Sequence, residues 1–111
     1  MHVELLFWEG CPSHPQALAT LREQMEALGL DPASVDVREI DTDEDAAEEN
    51  FIGSPTIRID GVDIVDPGAQ PPGLTCRVYH RRDGRISPTP DPADVREALE
   101  AANATATERS S

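Results

Sequence analysis

The chain has 111 residues, which suits one domain with a modest hydrophobic core and is too short for two domains. Its 22 acidic and 9 basic residues give a formal net charge of −13, so we expect neither nucleic-acid nor membrane partners. The two cysteines are too few for a disulfide framework. The apolar run near the N-terminus is too short for a signal-peptide core, so we expect a cytoplasmic location, where a permanent disulfide is unusual.

The first third of the chain predicts a strand, a turn and a helix. Residues 3–8 form an apolar run typical of a buried strand, and residues 10–14 form the turn. After Pro15, apolar residues recur at the spacing of one helical face, and Gly29 marks the end of the helix. Ser13 and Gln16 have the spacing of a capping box at the start of this helix.

The middle of the chain predicts a second strand, a short helix and a hairpin. Residues 35–40 read as the strand, and residues 41–50 read as a short helix whose first turn is acidic. Residues 56–59 alternate apolar and polar side chains, as a strand does. Asp60-Gly61 is a hairpin turn signal, so residues 62–65 are the candidate returning strand.

The last part of the chain predicts a loop, a second hairpin and a final helix. Residues 66–73 are rich in Pro and Gly, residues 74–79 form a β-like run, and residues 85–87 are placed to pair back after the Asp83-Gly84 turn. Either hairpin is able to supply the last strand of the main sheet. The final helix is expected at residues 92–102, and residues 103–111 are expected to be a disordered tail. We therefore predict a single domain over residues 1–102, with residues 66–91 as an irregular loop and hairpin insertion.

These motifs, in this order, resemble the thioredoxin-like superfamily. The matching features are the strand running into Cys11-Pro12-Ser13-His14, the acidic segment 40–45, and Gly53-Ser54-Pro55-Thr56 leading into a strand. The resemblance covers residues 3–65 and the last helix. It implies an α/β fold with a central mixed β-sheet of about four to five strands flanked by about three helices. It also implies a cis-proline at Pro55 that packs beside Cys11.

The chain departs from this family at the second cysteine of the redox motif. The family has two cysteines separated by two residues, whereas His14 stands where the second cysteine would be. A disulfide within the motif is therefore impossible, and the usual dithiol mechanism does not carry over intact.

Cys11 and His14 are the first candidate catalytic residues. Cys11 precedes a helix start, where about 1 kcal/mol of helix-pole stabilisation would lower its pKa by less than one unit from about 8.5. The alternative is a packed structural cysteine. His14 is close enough along the turn to stabilise a Cys11 thiolate or deliver a proton, and the alternative is a solvent-exposed histidine.

Cys76 is the third candidate, and its role stays open. It is able to resolve an oxidised Cys11, or it is a small buried apolar residue in a strand. The predicted substrate-binding residues lie around Cys11 and the proline motif, and they are Trp8, Pro12, Ser54, Pro55 and Thr56. Trp8 is equally well explained as a core residue.

The sequence favours a thiol-dependent redox protein without a cofactor. Cys11 would attack a disulfide or an oxidised sulfur species, and Cys76 or an external thiol such as glutathione would resolve the intermediate. The expected partner is a disulfide-containing protein or a small thiol. One alternative is a non-catalytic binding module that uses the groove beside Pro55, and another is a soft-metal or mercurial-binding protein that uses Cys11 and Cys76. We assign no metal site, because Cys11 and His14 supply only two of the four ligands of a closed zinc site.

Overall fold

The fold is organised around a four-stranded mixed sheet. A computed structural model describes residues 2–66 and 68–110, with the backbone alone described for residues 105–110. The strands are β1 (Val3–Phe7), β2 (Asp36–Glu39), β3 (Thr56–Ile59) and β4 (Val62–Asp63), in the spatial order β2-β1-β3-β4. β1 is parallel to β2 and antiparallel to β3, and β3 is antiparallel to β4. With three α-helices, this confirms the predicted α/β class with a mixed sheet of about four strands.

The helices cover both faces of the sheet. They are α1 (His14–Ala27), α2 (Asp43–Glu49) and α3 (Pro92–Ser110), and a short 3-10 helix lies at Pro32–Ser34. Val3 and Leu5 of β1 pack with α1 and α3 in one buried cluster, whereas Leu6 packs with α2 in a second cluster. Because successive side chains of a strand point to opposite faces, the apolar run of β1 supplies both layers.

A charged cluster fixes the end of α2 to the sheet. Arg38 on β2 donates hydrogen bonds to Glu49 at 2.6 Å and to Glu4 on β1 at 2.7 Å. The hydrogen bond from Arg38 lowers the pKa of Glu49. A lowered carboxyl pKa contributes stability above the unfolded-state pKa, and this contribution is lost as the pH falls through the folded-state pKa. The cluster therefore stabilises the fold at neutral pH and loses this contribution in acid.

The first of the two predicted hairpins supplies the last strand of the main sheet. The second hairpin forms a separate two-stranded antiparallel sheet, β5 (Tyr79–His80) and β6 (Ile86–Ser87). The β-like run at residues 74–79 is mostly outside this sheet, because the backbone of Thr75 and Arg77 hydrogen-bonds to Ser54 instead. Cys76 makes one isolated parallel bridge with Ser54.

The last helix continues beyond the end predicted at residue 102. α3 runs to Ser110, and Ser111 lies outside the described residues, so the expected disorder of residues 103–111 stays a prediction. The chain after Pro92 contains no glycine or proline and is rich in alanine, so no helix-breaking residue ends α3 earlier. Among the described residues, no helix is both long enough and apolar enough to cross a membrane.

Candidate functional site

The two cysteines of the chain are joined by a disulfide bond. Cys11 and Cys76 are 65 residues apart in the sequence, and their Cα atoms lie 5.5 Å apart, a usual separation for a disulfide. The sequence had left Cys76 open between a partner of Cys11 and a buried apolar residue. Cys11 is 1% exposed, whereas Cys76 is exposed to solvent. The two cysteines of one bond therefore differ strongly in their exposure to solvent.

The turn between β1 and α1 positions Cys11. The Cys11 N–H donates a hydrogen bond to the carbonyl oxygen of Trp8 at 3.0 Å, which closes the turn directly after the strand. A Cβ atom at Gly10 would overlap the indole ring of Trp8, so this turn requires glycine for close approach. The indole packs against the buried cluster on the α2 side of the sheet.

Ser13 faces the sulfur of Cys11 instead of capping the helix. It occupies the N-cap position of α1, but its side chain makes no capping hydrogen bond to the described first turn. Its Oγ lies 3.3 Å from Cys11 Sγ, and because a disulfide sulfur carries no hydrogen, the hydroxyl is the donor. The capping-box interpretation of Ser13 and Gln16 is therefore wrong. The Ser13 hydroxyl hydrogen-bonds to the Cys11 sulfur in place of a backbone N–H of the first helical turn.

His14 contacts Cys11 through the backbone. Its Nδ1 lies 3.3 Å from the carbonyl oxygen of Cys11, and its ring stacks on Phe7 with the ring centroids 4.2 Å apart. Neither of these contacts involves the sulfur. The predicted role of His14 as a proton donor to Cys11 stays a prediction.

The Ser54-Pro55 peptide bond is cis, as the motif predicted, and it lies next to Cys11. The carbonyl oxygen of Ser54 is 3.6 Å from Cys11 Sγ. Ser54, Pro55 and Thr56 are buried, so they are not open to a substrate in the disulfide form. Trp8 is half-buried and Pro12 is exposed, so a contact of these two residues with substrate stays a prediction.

Residues 73–79, which we call the strap, occupy the edge beside Pro55. Ser54 donates its N–H to the carbonyl oxygen of Thr75 and accepts the N–H of Arg77, both at 2.8 Å. The Tyr79 hydroxyl donates to the carbonyl oxygen of Pro55 at 2.5 Å. All backbone donors and acceptors of residues 54 and 55 are therefore engaged. A binding module would need these backbone groups free to hydrogen-bond an extended ligand, whereas the strap already hydrogen-bonds to them.

Buried polar side chains hold the strap in place. Arg77 donates hydrogen bonds to Asp63 at 2.6 Å, to Thr56 at 3.2 Å and to the carbonyl oxygen of Val65 at 2.8 Å. The Arg77 side chain is 3% exposed, so this ion pair with Asp63 is a buried one. Its guanidinium lies over the ring of Tyr79, 4.7 Å from the centroid. Burial raises the pKa of Tyr79 well above its usual range, so its hydroxyl remains a donor at neutral pH.

Gly53 permits the close approach of the strap. A Cβ atom at Gly53 would lie 3.0 Å from Cβ and 3.1 Å from Cα and N of Arg77, and the φ angle of Gly53 is +156°. A side chain at residue 53 would therefore push Arg77, and with it Cys76, away from Ser54.

The residues that hold the strap were not predicted from the sequence, and they are Asp63, Arg77 and Tyr79. One signal was available. Arg77 and Tyr79 alternate with Cys76 and Val78 in an extended run, and such a run predicts one buried and one exposed face. Arg77 and Tyr79 are buried, and Cys76 and Val78 are exposed.

Two nearby buried hydroxyls, on Ser54 and Thr56, predict substitution effects of different size on stability. Ser54 Oγ has no hydrogen-bond partner among the described residues, whereas Thr56 Oγ1 donates to the carbonyl oxygen of Gly53 at 2.7 Å and accepts from Arg77. We expect Ser54→Ala to change the free energy of unfolding by less than about 1 kcal/mol, and Thr56→Val to lower it by about 1–3 kcal/mol. Urea denaturation of the two variants measures the difference. Equal losses in both would contradict the hydrogen-bond assignment.

One group of side chains has the composition of a metal site. His2, Glu4 and Asp36 each offer a ligand atom, and these atoms lie within 4.8 Å of one another. Glu4 already accepts a hydrogen bond from Arg38 at 2.7 Å, and His2 lies 3.8 Å from each of the two carboxylates. The Arg38–Glu4 ion pair already engages one of these carboxylates, and the group shares no residue with the disulfide site.

No protein-family model matches the chain, and neither a curated protein nor a solved structure matches it.

Proposed function

We propose that the protein is a thiol–disulfide exchange protein of thioredoxin-like fold, with Cys11 and Cys76 as its redox-active pair. The observation that carries the proposal is the disulfide itself, which joins the turn before α1 to a strap beside Ser54. The cis-proline next to Cys11 and the α/β arrangement of the sheet support the fold assignment. The strap supplies the second sulfur that the motif Cys11-Pro12-Ser13-His14 lacks.

The proposed reaction moves two electrons and two protons. Two thiols of a partner give up their hydrogens and form one disulfide, while the Cys11–Cys76 disulfide becomes two thiols. In the reverse direction, the two protein thiols reduce a partner disulfide. The partner is a disulfide-containing protein or a small thiol, and the protein's own sulfurs carry the electrons without a cofactor.

The contacts of the strap favour a reversible disulfide over a purely structural one. Arg77 and Tyr79 bind the strap to Asp63, Thr56 and Pro55 through side-chain hydrogen bonds that do not involve sulfur. These bonds do not depend on the disulfide, so we expect the two thiols to stay close enough to reoxidise after reduction. In a cytoplasm, the expected location, cellular reductants would reduce an accessible disulfide.

Catalysed exchange between a dithiol peptide and cystamine tests the proposal. A cationic peptide with two cysteines is the substrate, because the net charge of −13 repels anionic thiols. With the protein at one hundredth of the peptide concentration, we expect peptide oxidation to be at least about ten times faster than without protein. The Cys11→Ser/Cys76→Ser variant is the control. An equal rate with wild type and this variant would contradict the proposal.

Soft-metal binding is the second candidate, because reduction would leave two thiols at one place. Thiolates are the ligands that soft metal ions prefer. Titration of the reduced protein with mercuric ion would favour this candidate if one ion binds per chain, binding is lost in the double variant, and the exchange assay shows no acceleration.

A further inference from the structure

We infer that exchange enters at Cys76 and that Cys11 is the sulfur that leaves, an inference that rests on the proposed function. This order is the reverse of the one expected from the sequence, in which Cys11 attacks and Cys76 resolves. It follows from the different surroundings of the two sulfurs in one disulfide.

The two cysteines differ in how easily a thiol from solvent reaches them. An attacking thiolate approaches a disulfide sulfur along the S–S axis, from the side opposite the sulfur that leaves. Cys76 lies on the exposed face of the strap, which it shares with Val78 at 59% exposure. Cys11 is 1% exposed and is enclosed by the Ser13 hydroxyl and the Ser54 carbonyl. A thiol from solvent therefore reaches Cys76 first.

The surroundings of Cys11 suit a leaving sulfur. The incoming thiolate forms a bond to Cys76 Sγ as the Cys76–Cys11 bond breaks, and the bonding electron pair departs on Cys11 Sγ. The Ser13 hydroxyl, 3.3 Å from that sulfur, donates a hydrogen bond to the thiolate. The hydroxyl makes no capping bond in the described first turn, so its hydrogen bond to Cys11 does not remove a cap from α1.

The strap keeps the intermediate in place for the second step. Hydrogen bonds on both sides of Cys76, through Thr75 and Arg77 to Ser54, hold its backbone opposite Cys11. A second thiolate then attacks the sulfur of the bound first thiol, forms the product disulfide and expels Cys76 as a thiolate. Both protein sulfurs end as thiols after taking up protons from water.

Trapping of the mixed disulfide tests this order. Oxidised wild-type protein is mixed with cysteamine, a cationic thiol, quenched with N-ethylmaleimide at early times, and mapped by peptide mass spectrometry. We expect cysteamine on Cys76 and N-ethylmaleimide on Cys11, with at least about ten times more of this species than of its reverse. Cysteamine mainly on Cys11, or equally on both, would overturn the order while leaving the exchange function intact. A disulfide that cysteamine leaves unreduced would overturn the proposed function as well.

Single variants give an independent measurement. With cystamine as the probe, we expect the Cys76 thiol of Cys11→Ser to react at least about ten times faster than the Cys11 thiol of Cys76→Ser. Equal rates would contradict the order, and the wild-type trapping experiment decides it if Cys76→Ser does not fold.

A Ser13→Ala variant tests the role of Ser13. Ser13→Ala should slow cysteamine reduction of the wild-type disulfide by about tenfold, because a hydrogen bond to a charged group is lost. Ser34→Ala is the matched control, since Ser34 donates its hydroxyl to the carbonyl oxygen of Asp31, away from the disulfide. An unchanged rate in Ser13→Ala would remove Ser13 from the step.

Discussion

Reduction of the Cys11–Cys76 disulfide is expected to lower the free energy of unfolding by about 4 kcal/mol. The bond closes a loop between residues 65 positions apart, and the chain-entropy model assigns about this much stabilisation to a loop of such length. The bond acts mainly by restricting the unfolded chain, so the effect does not require the strap to leave the sheet in the reduced protein.

Urea denaturation with and without reductant measures this effect. The Cys11→Ser/Cys76→Ser variant is the control, and its unfolding midpoint should not respond to the reductant. A change of less than about 1 kcal/mol in the wild type would mean that the disulfide does not restrict the unfolded chain as the loop-closure model requires.

Asp63→Asn is expected to lower the free energy of unfolding by about 3–5 kcal/mol. The substitution leaves the guanidinium of Arg77, whose side chain is 3% exposed, without its charged partner. Glu100→Gln is the matched control, because Glu100 pairs with Arg96 on the exposed surface of α3, where an ion pair contributes about 0–1 kcal/mol.

The same substitution has a second readout at the sulfurs. Arg77 follows Cys76 directly, so a loosened Arg77 lowers the effective concentration of the Cys76 thiol near Cys11. We expect the reduced Asp63→Asn variant to form its disulfide at least about threefold more slowly than wild type in a glutathione buffer, whereas Glu100→Gln reoxidises at the wild-type rate. A large loss of stability with unchanged reoxidation would show that Arg77 supports the fold without positioning Cys76.

The β1–α1 half of the site could be predicted from the sequence because its signals are local. An apolar run, Gly10, Cys11 and a helical stripe after Pro15 place the cysteine in a strand-to-helix turn. The motif around Pro55 predicted the cis bond through its resemblance to a known family. These features need only neighbouring residues or one motif to specify them.

The strap half of the site could not be predicted in the same way. Its position depends on hydrogen bonds from Arg77 to Asp63 and from Tyr79 to Pro55, which join residues 14 and 24 positions apart. Hydrophobic periodicity carries no information on such polar, long-range contacts. The pairing of Cys76 therefore stayed open at the level of sequence. The sequence predicted a helix-capping bond for Ser13, which is the usual role of an N-cap hydroxyl. The structure places this hydroxyl against Cys11 Sγ instead.

A redox titration of the intact protein shows whether Cys11 and Cys76 form a reversible pair. The protein is equilibrated with glutathione buffers over a wide range of thiol-to-disulfide ratios, acid-quenched and weighed by mass spectrometry. For a reversible pair, we expect two species that differ by two hydrogens and interconvert completely within this range, from either starting state. A protein that stays oxidised in the most reducing buffer, or that forms no internal disulfide in the most oxidising one, would contradict it.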